Sequence, residues 1–164
     1  MIYNEDMFKQ TIKAATVSII SFDRDINYND DIIDCGIRYI HTLLMEPSNI
    51  VYCGNDPERY YYMIASHAVY AGLVISMWEY EGYSLERSLE GVLAIDSIAI
   101  FKNNSKHSCS DAIDSYISDV FDLAVGDLNN KYGQHLLLDN NEYILGMLMA
   151  FFIIGYNLDE RYFL

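Results

Sequence analysis

Apolar residues recur along this chain at steps of three and four rather than in alternation, the signature of helices with one buried face. Six helices are predicted, forming an all-α, single-domain bundle over residues 1–164. The first runs from about Asn4 to Ser21, with Phe8, Ile12, Ala15 and Ile19 on one face. A polar stretch, Asp23 to Asp31, leads into a second helix through Met45, carried by Ile33, Ile37, Ile40 and Leu44. The longest break is Glu46 to Asn55, with Pro47 and Gly54, where Ile50-Val51-Tyr52 is a candidate extended piece.

Asp56-Pro57 opens the third helix with an acceptor at the N-cap and proline where a missing N–H is harmless. It passes Met63, His67, Tyr70, Val74 and Met77 to Glu81, and Gly82 is its stop. Ser84 caps a fourth helix reaching Phe101, and the polar segment Lys102 to Ser108 reads as a loop. The fifth runs from Ser110 to about Asn130; the last opens at Asp139 with Glu142 in capping-box spacing, and Gly155 ends it. The ends Gly82-Tyr83-Ser84-Leu85-Glu86 and Gly155-Tyr156-Asn157-Leu158-Asp159 look alike, so the third and sixth helices are either duplicated equivalents or a coincidence of composition. Interior glycines (Gly36, Gly72, Gly91, Gly146) weaken helices, and close helix-to-helix approach is a reason to keep them.

Composition changes the picture in three ways. At 52% hydrophobic, a chain of this length can fill a core without metal or disulfides. Three scattered cysteines (Cys35, Cys53, Cys109) make no disulfide framework, and the N-terminal Met-Ile-Tyr-Asn-Glu-Asp lacks signal-peptide character, so a cytoplasmic location is expected. The most apolar run, Tyr143 to Tyr156, falls short of the ~17–25 residues that a spanning helix needs and reads as a buried helix. Finally, 24 acidic against 10 basic residues give a formal net charge of −14. That charge opposes binding to nucleic acid or anionic lipid and attracts a cationic protein; it also serves solubility alone.

Candidate chemistry centres on the fifth helix. At 100° per residue, Asp111, Asp114, Ser115, Ser118, Asp119 and Asp122 fall in one arc, opposite Ile113, Tyr116, Ile117, Val120, Phe121, Leu123, Ala124 and Leu128. No lysine or arginine lies between Ser110 and Asn130, so the acids repel one another without local compensation. The arc is a binding face for a basic partner or an ordinary solvated face. Asp23, Asp25, Asn27, Asn29, Asp31 and Asp34 follow calcium-loop spacing, but Tyr28 stands where the turn needs glycine and Asp34 replaces the bidentate glutamate. The simpler reading is a polar turn, with Asp23 and Asp25 adding to the acidic binding surface.

The four histidines and three cysteines form no metal-ligand motif, and His41 and His67 read as core histidines. No nucleophile elbow, phosphate loop or dinucleotide fingerprint is present, so no catalytic residues, metal or cofactor are assigned. Among fifteen tyrosines, Tyr60-Tyr61-Tyr62 project about 100° apart, so at least one should be exposed. Tyr60 and Tyr61 are therefore candidate contact residues, although an AT-rich coding sequence also explains the abundance. Trp78 reads as core.

In size, acidity, lack of an export signal and lack of catalytic motifs, the chain resembles bacterial immunity proteins of the contact-dependent growth-inhibition type. The resemblance implies a non-catalytic inhibitor that neutralises a basic toxin, a nuclease domain, through an acidic helical face, with no direct contact to nucleic acid or membrane. Two other readings stand beside it: a helical groove-binder similar to viral Bcl-2-like apoptosis inhibitors, though without their Asn-Trp-Gly-Arg signature, and an acidic mimic of nucleic acid.

Overall fold

The computed structural model describes residues 30–104, 107–132 and 142–158. The helix expected over Asn4–Ser21, the acids Asp23 and Asp25, and the capping box at Asp139 lie outside them. Within the described residues the protein is all-α: α1 (Asp30–Leu44), α2 (Ser48–Tyr52), α3 (Pro57–Tyr80), α4 (Leu85–Ala94), α5 (Ser97–Asn104), α6 (His107–Tyr132) and α7 (Glu142–Asn157). None of these helices is long and apolar enough to cross a membrane.

Two helices have no solvent face at their centres. In α3 every residue from Ala68 to Ile75 is buried, and in α7 every residue from Ile144 to Gly155. Helices apolar all round belong inside a protein, and these two pack on each other as the core. Their contact is backbone to backbone. A Cβ on Gly155 would overlap the Val69 carbonyl, and one on Gly72 would overlap the Phe152 carbonyl and meet the Tyr156 nitrogen at 2.6 Å. Gly36 likewise admits the Met149 and Phe152 side chains to α1, and Gly91 admits the Trp78 ring to α4. Close approach is thus the reason for these glycines.

Gly155 therefore differs from its expected role: it lies inside α7, which continues to Asn157. Gly82 does end its helix, at φ +103, with the Tyr83 N–H bonding the Trp78 carbonyl at 3.0 Å and the Gly82 N–H bonding that of Glu79 at 3.0 Å. The two similar sequence ends thus have different geometries, and the helices that carry them pack directly on each other.

Three other boundaries are corrected. Ile50-Val51-Tyr52 is helical, not extended, because Pro47 already holds a helical φ of −68° and the Glu46 carboxylate accepts from the Ser48 hydroxyl at 2.9 Å. The fourth expected helix is two, parted where Ile95 turns extended and the Asp96 carboxylate accepts from the N–H groups of Ile98 (2.8 Å) and Ala99 (3.2 Å). Lys102 to Asn104 belongs to α5 rather than to a loop. The caps that were legible hold: Asp56 accepts from the Glu58 N–H at 3.0 Å, and Ser84 from the Arg87 N–H at 3.1 Å.

Candidate functional site

Helix α6 lays one side on the core and the other in solvent. Ile113, Ile117, Val120, Phe121 and Ala124 are buried, whereas Asp111, Ser115, Asp119 and Asp122 are exposed. Leu123, expected on the core side, is 51% exposed and adds an apolar edge to the polar face.

Asp114 stands apart from the other acids. Its carboxylate accepts from the Tyr70 hydroxyl at 2.5 Å and lies 3.7 Å from the Lys102 ammonium. Tyr70 is wholly buried in α3, and its hydroxyl also sits 3.2 Å from the Ser110 carbonyl. A buried hydroxyl must find an acceptor, so Asp114 ties α6 to the core and to α5 before it can serve any partner. The exposed ion pair to Lys102 adds little on its own. Among the described side chains of α6, the fully exposed acids are therefore Asp111, Asp119 and Asp122, with Asp114 half-exposed beside them.

At one end this face enters a cleft of about 580 Å³, lined by Tyr52 and Cys53 at the end of α2, Asp56, Glu58, Arg59, Tyr62 and Met63 at the start of α3, and Ser118, Phe121 and Asp122 of α6. Tyr52 is 85% exposed at its rim, and the Tyr62 ring meets Phe121 edge-on at 5.2 Å. Three carboxylates and one guanidinium surround these rings.

The tyrosine expectation is reversed. Tyr60 and Tyr61 are buried, 6% and 0% exposed, with their rings tilted against each other at 5.1 Å, so neither is placed to touch a partner. Tyr62 is half-buried, packed against the core with one side on the cleft, so none of the three is fully exposed as expected. The signal was present in the sequence: Tyr62 follows Glu58 by four residues and Arg59 by three, on the charged side, whereas Tyr60 and Tyr61 precede Ile64 and Ala65 by four, on the core side. Asp31 of the acidic turn is exposed in the first turn of α1 and Asp34 is half-buried.

Polar groups elsewhere serve packing. The buried Ser97 hydroxyl lies 3.2 Å from that of Tyr39 and donates to the His67 carbonyl at 3.1 Å, joining α1, α3 and α5. Burial lowers the His67 pKa, and Asp96, 3.7 Å from its Nδ1, partly offsets this. Burial also pushes Tyr39 up to about 12, against the pull of its bond to Ser97. Tyr156 is raised by burial and by donating to the Glu79 carboxylate at 2.7 Å. Burial raises the Cys35 thiol to about 12, which makes it a poor nucleophile. His41 is exposed rather than a core histidine, because it falls on the outer side of α1 beside Arg38 and Thr42. Among the described residues, no three histidine, cysteine or acidic side chains are grouped to hold a metal ion.

No protein-family model matches the chain, and no curated protein or solved structure matches it.

Proposed function

We propose that the protein is a non-catalytic binding protein whose acidic α6 face docks a basic protein partner, and that it acts as an inhibitor of the immunity type, neutralising a cationic toxin such as a nuclease. The observation that carries this reading is the division of α6: Ile113, Ile117, Val120, Phe121 and Ala124 are committed to the core, whereas Asp111, Asp119 and Asp122 are exposed, with no lysine or arginine between Ser110 and Asn130 to balance them. Like charges along a helix destabilise it by a few tenths of a kcal/mol per pair, about 0.2–0.5, so helix stability does not select this arrangement. A cationic surface supplies the missing counter-charge and is steered toward it on approach. An enzyme that handles nucleic acid must itself be basic where it grips phosphate, which makes it a fitting target.

A groove-binder would offer a long apolar trough to an amphipathic helix. The cleft beside α6 instead surrounds its aromatic rings with Asp56, Glu58, Arg59 and Asp122. Charge is its distinguishing offer.

The test is capture from lysate of the source cells with the tagged protein at low and at high salt. One stoichiometric basic protein, released or slowed in binding by salt and showing nuclease activity that the tagged protein suppresses, is the expected result. Retention of amphipathic helical segments in a salt-insensitive manner would replace this reading with the groove-binder.

A further inference from the structure

We propose that the cleft between the start of α3 and α6 is a receptor for a single arginine side chain of the basic partner, the anchor around which the acidic face docks. This deepens the reading above and rests on it for the partner, though not for the chemistry of the cleft. The cavity of about 580 Å³ is in the ~300–1,000 Å³ range of small-ligand pockets and accepts one extended side chain with room for its flanking backbone. Its walls combine two kinds of group. Tyr52 and Tyr62 supply ring surfaces over the buried Phe121, and Asp56, Glu58 and Asp122 supply carboxylates, with Ser118 one turn before Asp122 on α6.

That combination selects a planar cation. A guanidinium stacks on an aromatic face and donates to carboxylates in its own plane, whereas an ammonium is a compact, strongly hydrated charge that gains less from rings. An anion would meet three carboxylates against one guanidinium. A purely apolar side chain would leave those acids without compensation. Tyr52, 85% exposed at the rim, is placed to fold over a side chain that enters and to bury more ring area in doing so.

Arg59 lines the same cleft and makes the proposal sharply testable. It is an exposed resident cation, and its charge repels an incoming one. Removing it should strengthen capture of an arginine, while removing Asp122 should weaken it. A cleft residue with a merely structural role would not give opposite signs.

The experiment is an NMR titration of the full chain with Nα-acetyl-arginine amide, with the neutral citrulline counterpart as control. Shift changes concentrated at Tyr52, Arg59, Tyr62, Ser118 and Asp122, absent with citrulline, are expected. Asp122→Asn should weaken binding by ~2- to 5-fold and Arg59→Gln should tighten it by a similar factor, the range of one exposed charge pair. Shifts spread evenly over distant acids such as Asp30, Glu86 and Glu90, an equal response to citrulline, or weakening by Arg59→Gln would overturn the proposal. If arginine binds in the cleft but no basic protein is captured, the partner reading fails alone. If a basic protein binds and the two cleft variants leave its affinity unchanged, the arginine pocket fails alone.

Discussion

At the scale of single residues, the aspartates of α6 are not equivalent although the sequence spaces them evenly. Asp114 answers the buried Tyr70 hydroxyl, and Asp111, one turn earlier, answers nothing of the kind. Asp114→Ala is therefore expected to destabilise the fold by about 1.5–3 kcal/mol, the range for a hydrogen bond to a charged group, whereas Asp111→Ala should stay within about 0.5 kcal/mol. Denaturant unfolding of the two variants checks this, and equal losses would show that the Tyr70 contact contributes nothing special. The wheel projection could place all these acids on one arc but could not reveal which of them a tyrosine 44 positions away would claim. It could have separated Tyr62 from Tyr60 and Tyr61, because charged neighbours at Glu58 and Arg59 mark the outer side of α3.

At the scale of elements, what was legible was local. The Asp56 and Ser84 caps and the Gly82 stop depend on a few neighbouring residues, and each holds in the fold. Asp96 offered an equally local signal within Ile95-Asp96-Ser97, yet the apolar periodicity on both sides hides the break between α4 and α5. Gly155 misleads for the opposite reason: its value is long-range, since it lets α7 press its backbone against Val69 of α3. Gly155→Ala should thus cost far more than the usual gain from replacing a helical glycine. About 3 kcal/mol or more is expected, at or above the upper end of overpacking effects, because the clash is with backbone that cannot rotate away. Thermal unfolding of that variant beside Gly126→Ala, where a Cβ would meet nothing within 4 Å, separates packing from propensity. Similar stability for both would contradict the tight crossing of α3 and α7.

At the scale of the whole molecule, two apolar helices fill the centre and allow the surface to carry a formal charge of −14. Apolar periodicity made the all-α class readable in advance, and the unbroken apolar run from Tyr143 to Tyr156 marked a helix for the core. It could not show that the exposed acids of α6 run into an aromatic cleft, because Asp122 lies far along the chain from Tyr52 and Tyr62 and is brought to them only by packing. The central claim is that this particular face, rather than net acidity, holds a basic partner. The most direct test compares two triple reversals that each change the net charge from −14 to −8, three substitutions of two units apiece: Asp111, Asp119 and Asp122 to lysine, and the distant exposed acids Asp30, Glu86 and Glu90 to lysine. With helicity unchanged in both, affinity for the captured partner should be abolished by the first set and lowered only modestly by the second. Equal losses in the two proteins would mean that general acidity attracts the partner and that α6 is not its docking face.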